Sequence, residues 1–458
     1  MKSWGCRAVP YCLVAPENDT LRIHYAKKSA MKLHIENFAK ISSADIGFDG
    51  LTVIAGKNNT GKSTVGKVLY VFFRALSQMP KRVMRDRMDA VVRAFLRNVD
   101  RRISLEQAQQ LLDGSVSVES VYSQLKETDR NDALQLLLTP LPEGGLSDFS
   151  KNDIIKTIAE VKSMEDRTIA GKLAYQVLDC VFHGQTKPLR EVDGDAVLQL
   201  FVHGERNEMR FGKGGSSIHH ATQLVKKVRF IANPDVLSLL NIRDLYSNKA
   251  YAKAFEKYTL ELAQELAAGP LLSVAEQEVA QAKLAEIFSL LDGKISGDFK
   301  LDDDNDFALL EDGNERPTKV QNLSMGMKFF VLLRLMLLHG VLQDRDVLIL
   351  DEPENHLHPE WQVVYAHVLV LLQKVFNLTV LVTSHSQFFV NALQRLAISE
   401  NIMDKTHFYI SKLDERRLGF CTFEDVTNST GQIFRSFNKA YGDISHISKE
   451  FRDGDFEE

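Results

Sequence analysis

Val347-Leu348-Ile349-Leu350-Asp351-Glu352-Pro353-Glu354-Asn355-His356-Leu357-His358-Pro359 is the stretch whose reading decides the fold. The apolar run Val347 to Leu350 has the length and branching of a strand buried on both faces of a parallel sheet, where no polar alternation is needed. It delivers Asp351 and Glu352 at the carboxyl end of that strand, the end at which ligands bind in such sheets. An acid pair there suits nucleotide hydrolysis. The first carboxylate can hold the shell of a Mg²⁺, and the second can orient and deprotonate a water aimed at the γ-phosphate. Many ordinary strands also end in a solvated acid, so the pair gains meaning from a phosphate-binding element elsewhere.

Gly56-Lys57-Asn58-Asn59-Thr60-Gly61-Lys62-Ser63 is such an element, matching G-x-x-x-x-G-K-[ST] at every fixed position. The apolar strand Leu51 to Ala55 precedes it and a helix-compatible run follows, which is the setting the motif requires. Its glycines let backbone N–H groups turn inward around phosphate at a helix N-terminus, Lys62 reaches the β/γ oxygens, and the Ser63 hydroxyl joins Asp351 on Mg²⁺. The expected nucleotide-binding residues are therefore Gly56, Asn58, Asn59, Thr60, Gly61, Lys62, Ser63 and Thr64.

Upstream, Leu33 and Ile35, then Ile46 and Phe48, alternate as two short strands joined by a turn and lead through Asp49-Gly50 into the strand before the loop. The whole opening, MKLHIENFAKISSADIGFDGLTVIAGKNNTGKST, resembles that of an ABC-class ATPase of the SMC, RecF and OLD-like branch, with an Asn-Phe turn at Asn37-Phe38. Gln321 to Lys328 resembles the signature loop of that class, usually LSGGQ, with Leu323, Ser324 and Gly326 matching and Met325 and Met327 departing from it. A serine hydroxyl and free N–H groups at a helix N-terminus make a γ-phosphate clamp, although a plain serine N-cap has the same pattern. The resemblance implies that Ser324 and Gly326 close over nucleotide held by a second copy, in a head-to-head homodimer or a higher oligomer. It also implies that His385, after the strand Leu378 to Val382, senses the γ-phosphate beside the catalytic Glu352. Glu354 to Leu357 falls where the class has its dimer-contact loop. His356 and His358 read as part of a loop-to-helix join at Pro359, with no metal beyond Mg²⁺.

The 458 residues are 44% hydrophobic and 26% charged, an ordinary globular balance with room for two or three domains. The net charge of −5 requires any nucleic-acid contact to use a local basic patch. Cys6, Cys12, Cys180 and Cys421 are scattered without metal spacing, which fits a reducing cytoplasm, and no apolar run is long enough to span a membrane.

The expected fold class is α/β: an ABC-type head formed by both chain ends around a large, mainly helical insertion. In order, the expected segments are an N-terminal extension at 1–30, a lobe with the phosphate loop at 31–70 and a helical insertion at 71–194. Returning strands follow at 195–234, with a hairpin turning near Gly204 to Asn207, then a second helical block and acidic loop at 235–320, then the remaining lobe at 321–458. Ala280, Leu284, Ile287 and Leu291 mark one face of that block, a loop is expected at Thr139 to Asp148, and Asp302 to Glu315 reads as solvated surface. Strands are expected at His407 to Lys412 and Leu418 to Glu424, then a charge-mixed tail too short for the Toprim domain of OLD nucleases, with Asp453-Gly454-Asp455 as an acidic terminus.

Residues 81–102, with Arg85, Arg93, Arg97 and Arg101 among eight basic side chains, read mainly as a solvated helix face and leave DNA contact open. A stand-alone ATPase of this kind resembles the ATPase subunits, PtuA, of Septu-type antiphage systems, whose partner is a separate HNH-type nuclease. ATP with Mg²⁺ is the implied cofactor pair. A RecF-like or SMC-like repair ATPase that binds DNA directly is the alternative.

Overall fold

The computed structural model describes residues 31–132, 146–185, 194–212, 215–219, 224–241, 256–269, 273, 275, 282, 284–295, 297–301 and 307–435. The extension at 1–30, most of the Thr139 to Asp148 loop, Ala280, Asp302 to Asp304 and the terminal Asp453-Gly454-Asp455 lie outside the described residues.

The architecture is α/β. β1 (Met31–Phe38), β2 (Ile41–Gly47) and β3 (Leu51–Gly56) lead into α1 (Lys62–Leu76). Five more helices follow: α2 (Met79–Val99), α3 (Leu105–Asp113), α4 (Val118–Asp132), α5 (Asp148–Ser163) and α6 (Asp166–Val181). Then come β4 (Ala196–Val202), β5 (Glu205–Gly212), β6 (Gly215–His219), β7 (Val228–Ile231), α7 (Lys257–Ala267) and α8 (Ala285–Asp292). β8 (Asp298–Leu301), β9 (Phe307–Leu310) and β10 (Thr318–Lys319) form a small separate sheet before α9 (Met325–Leu338). The chain ends in β11 (Val347–Asp351), α10 (Pro359–Phe376), β12 (Thr379–Ser384), α11 (Gln387–Ser399), β13 (Thr406–Leu413) and β14 (Cys421–Asp425).

Eleven strands join in the order β6-β5-β4-β1-β2-β14-β13-β3-β12-β11-β7. The last five are parallel, with β3 flanked by β13 and β12, and β11 between β12 and β7. The first five run antiparallel, neighbour to neighbour. Two chain regions more than 300 residues apart in number thus share one sheet, with Val382 opposite Val53 and Phe408 opposite Val53 on the other side.

Both faces of the parallel part are covered, which explains its unbroken apolar runs. Leu51, Val53, Leu348, Leu350, Val380 and Val382 face one core with α9, α10 and α11. Ile54, Ile349 and Leu381 face the other, with α1, α6 and the antiparallel strands. Phe330 and Tyr365 are fully buried in the first core, their ring centroids 5.5 Å apart at 85°. Truncating Phe330 to alanine would cost roughly 3–5 kcal/mol, because a close-packed interior leaves the cavity unfilled. The helical insertion keeps a third core of its own: Val91, Phe95, Leu111, Val121 and Ile154. α2 spans the two, its start (Met79, Val83) packing with α1 and its later part in the insertion.

Three local readings need correction. The β4–β5 hairpin turns at His203-Gly204, earlier than Gly204 to Asn207, because both residues adopt positive φ (50° and 88°) and make a tight two-residue connection. The acidic stretch is not all solvated loop: β9 lies within it, with Ala308 and Leu309 buried. β14 starts at Cys421, so Leu418 stands outside it as exposed turn.

Candidate nucleotide site

β3 ends at Gly56 and the chain reverses into α1 through Lys57 to Gly61. Gly61 sits at φ 81° as the N-cap of α1, a conformation glycine adopts without Cβ strain. A Cβ at Gly56 would lie 1.9 Å from Ser411 Oγ of β13, so only glycine fits against that strand. Thr60 Oγ1 meets Ser411 Oγ at 2.6 Å and donates to Lys57 O at 2.7 Å, tying the loop to β13 and to itself. Lys40, in the β1–β2 turn, donates to Asn59 Oδ1 at 2.5 Å. The Lys62 side chain, 3% exposed, donates to Gly56 O (3.0 Å) and Lys57 O (2.9 Å), folded across the loop it would serve.

β11 and β12 bring the acids to this loop, since Asp351 pairs in register with Thr383. Thr383 Oγ1 donates to Asp351 Oδ1 at 2.5 Å, and Ser63 also hydrogen-bonds that carboxylate. Burial pushes the Asp351 carboxyl up, against those two hydrogen bonds. Glu352 takes φ 50°, a left-handed conformation costing a side-chain-bearing residue about 1 kcal/mol, and its N–H donates to Thr383 O at 3.1 Å. That twist aims its carboxylate between Lys62 and His385. Oε1 is 3.3 Å from Lys62 Nζ, and Oε2 is 3.2 Å from both Asn355 Nδ2 and His385 Nδ1. Burial works to raise the Glu352 pKa, but Lys62, the Asn355 amide and His385 outweigh it and the net shift is downward.

Glu354 is buried beside them and holds the segment that carries His385. Its Oε1 accepts from Ser384 Oγ (2.6 Å), His385 N (3.1 Å) and Ser386 N (3.3 Å). Its Oε2 is buried without a hydrogen-bond partner, and burial pushes this carboxyl up. Ser386 in turn caps α11 through Phe389 N.

Together these groups wall a cleft of about 520 Å³, lined by Asn58 to Thr64, Lys67, Asp351, Glu352 and Asn355, and also by Ala39, Lys40, Phe182, Gln185 and Ala232. Of the residues singled out in sequence, Asn58, Asn59, Thr60, Gly61, Lys62, Ser63, Thr64, Asp351 and Glu352 line it, with His385 against Glu352. Gly56, Ser324 and Gly326 do not. Ser324 is exposed and caps α9, accepting from Met327 N at 3.3 Å. Gly326 packs beneath the loop after the acids, where a Cβ would come 3.0 Å from His356 O. Sequence reasoning missed Thr383, Ser411, Asn355, Lys40, Phe182 and Gln185 as site residues. Thr383 adjoins the Ser384-His385 motif and was within reach of spacing arguments, whereas Ser411 and Phe182 arrive from distant segments with no motif.

A hydroxyl and a carboxylate, Ser63 and Asp351, form a hard oxygen pair that suits Mg²⁺ completed by phosphate and water. Among the described residues no cluster of three or more His, Cys, Asp or Glu could hold another metal, and no helix is long and apolar enough to cross a membrane.

Residues 31–168 match the family described as "AAA ATPase domain", and residues 215–391 the family described as "AAA domain, putative AbiEii toxin, Type IV TA system". No curated protein matches the sequence. Similar solved structures include the SMC head domain from Thermotoga maritima, at 13% identity and a TM-score of 0.35, over 86% of this chain and 98% of that one. An SmcHead bound to the C-winged helix domain of ScpA gives 11% identity and a TM-score of 0.39, over 88% and 98%. A third, the Smc head domain with an extended coiled coil bound to the C-terminal domain of ScpA, derived from Pyrococcus furiosus, gives 10% and 0.35, over 91% and 98%. Lys62 and Ser63 fall in the first matched segment and Asp351, Glu352 and His385 in the second. One domain match thus covers the phosphate loop and the other the acid pair, so both halves of the candidate nucleotide site fall in segments similar to AAA ATPase domains.

Proposed function

We propose that this chain hydrolyses ATP as a head-to-head dimer and serves as the ATPase subunit of a prokaryotic antiphage defence complex, controlling a separate HNH-type nuclease. The observation that carries the ATPase chemistry is the placement of Glu352 between Lys62 and His385, at 3.3 and 3.2 Å. Bound Mg²⁺ would supply neutralisation of the phosphate charge, held by Ser63 and Asp351. Lys62 then moves from the Gly56 and Lys57 carbonyls to phosphate oxygens. Its departure frees Glu352 to take a proton from water, while His385, fixed by the Glu354 carboxylate beneath its backbone, stands at the γ-phosphate end. Ser324, exposed at the start of α9 and outside the cleft, is free to close over the nucleotide of another copy.

The defence role draws support from the description of the family matching residues 215–391, which names a toxin of a Type IV TA system, and from the resemblance to Septu-type ATPase subunits. Purifying the chain with the products of its neighbouring genes, with and without ATP and Mg²⁺, tests it. A stable complex with a nuclease whose cleavage depends on nucleotide is expected, and a chain that recruits no nuclease or other effector would sink the reading.

Exposed Arg93 and Arg97, one turn apart on α2, favour a second reading as a DNA-binding repair ATPase. Much of the same stretch is otherwise engaged: Arg82 donates to Arg74 O and Ala75 O, and Arg87 pairs with Asp166 at 2.7 Å. Salt-dependent DNA binding weakened by charge reversal at Arg97 and Arg101 would favour the repair reading.

A further inference from the structure

The phosphate end of the cleft is rich in polar groups, but a nucleotide also carries a flat purine that needs an apolar surface. Among the described residues lining the cleft, one aromatic ring is present: Phe182, the C-cap residue of α6, at the end of the helical insertion. Its ring stands edge-on to the fully buried Phe38, with centroids 4.9 Å apart at 88°. Phe38 is the last residue of β1, and the turn after it contributes Ala39, with no bulk, and Lys40, which reaches back to Asn59 of the phosphate loop. Phe182 is thus backed by a buried ring, partly exposed, and lines the same cleft as the acids.

Its position is also fixed by backbone. Phe182 N donates to Leu178 O at 2.9 Å, and Gln185 N donates to Phe182 O at 2.9 Å, closing a turn through His183 and Gly184, both at positive φ. The side chain of His183 meets Glu256 at 3.1 Å, and Glu256 lies 3.7 Å from Lys67 of α1. Gln185, exposed and lining the same cleft, offers an amide with both donor and acceptor to a base edge.

We propose that Phe182 is the surface on which the nucleobase stacks, with Gln185 beside it at the base edge, so that the helical insertion itself completes the ATP site. This rests on the nucleotide-site reading above and adds a consequence to it. α6 packs on α1 and on α2, and α2 continues into the separate core of the insertion. Base binding at Phe182 would therefore hold α6 against the phosphate-loop lobe and give the insertion a direct contact with the ligand.

The test compares ATP with inorganic tripolyphosphate, which has the phosphates and no base, by titration calorimetry on the full chain with Mg²⁺. Phe182→Ala is expected to weaken ATP binding roughly tenfold to a hundredfold, the range of one lost base-stacking contact, while tripolyphosphate affinity stays within about twofold. Phe182→Tyr should restore ATP affinity, and Phe182→Leu, which keeps apolar volume without the ring, should not. Retained tripolyphosphate binding shows that each variant has folded. Equal loss of both ligands would make Phe182 structural and overturn the proposal, as would unchanged ATP affinity. A wild-type chain that binds tripolyphosphate no more weakly than ATP would overturn it too, leaving the phosphate loop intact, whereas a chain that binds neither would overturn the underlying site.

Discussion

The phosphate loop and the Ser324 segment both stand at helix N-termini, yet the chain treats them differently. The phosphate loop is fixed on three sides: Ser411 backs it, Lys40 reaches over it, and Glu352 engages its lysine. The segment at Ser324 is joined to the loop after the acids through Gly326 packing beneath the His356 carbonyl, and its exposed serine caps its own helix at Met327 N. The phosphate loop meets the acids within a single chain, whereas Ser324 caps its own helix and lies outside the cleft. The difference is what the proposed sharing of one site between two copies would require, because a clamp that already touched its own nucleotide would have no need of a partner.

The largest expected effect sharpens the first half of that contrast. Lys62→Ala should weaken ATP binding about a hundredfold through loss of a charged phosphate contact, and slow turnover a further hundredfold or more. Calorimetry with single-turnover kinetics would separate the two losses. Glu352→Gln should leave binding near wild type, lower kcat roughly 10²- to 10⁴-fold as for loss of a general base, and accumulate a dimer with ATP bound. If Glu352→Gln lost affinity as much as Lys62→Ala, the role of Glu352 as base would be wrong. Ser324→Ala should cost about tenfold to a hundredfold in kcat, the worth of one hydrogen bond to a charged group, with ATP affinity of the monomer unchanged. A drop in monomer affinity would place Ser324 in its own chain's site and break the comparison.

The smallest effect is in pH. The Glu352 carboxyl lies below its ordinary value of 4.5, so it stays ionised as pH falls through that value. The acid limb of the kcat/KM profile should accordingly lie below 4.5 if Glu352 is the controlling group. The sign for stability is the same: a depressed carboxylate contributes stability above its unfolded value and loses it as pH falls toward the folded one. Denaturant titrations of wild type and Glu352→Gln should converge at low pH.

What could be read in the sequence follows the same physical division. β3, β11 and β12 are buried on both faces, so their residues form continuous apolar runs that stand out without structural context. Lys62, Ser63, Asp351 and Glu352 stand at fixed spacings from those strands, and motif reasoning reaches them. β9 was hidden because Ala308 and Leu309, its buried core, sit in a stretch dominated by acidic residues. The hairpin turn was misplaced because alternation continues past Gly204, while the positive φ of His203 marks the true reversal and leaves no trace in residue type. Ser411 and Phe182 were missed for a different reason: each is brought to the site by packing between segments far apart in the chain, Ser411 opposite Gly56 and Phe182 against Phe38. Glu354 falls between. Its place after the acid pair was plain, but its grip on Ser384, His385 and Ser386 depends on the parallel pairing of β11 with β12.

The central claim, one nucleotide site shared by two copies, is most directly tested by mixing two inactive chains. Lys62→Ala keeps a sound Ser324 segment, and Ser324→Arg keeps a sound phosphate loop. In a two-fold dimer, each mixed pair has one site with both halves intact, so an equal mixture should recover about a quarter of wild-type ATPase activity although neither variant alone is active. Recovery that rises with total protein concentration is the result this account predicts. A mixture as inactive as its components, with both variants folded and exchanging subunits, would contradict it.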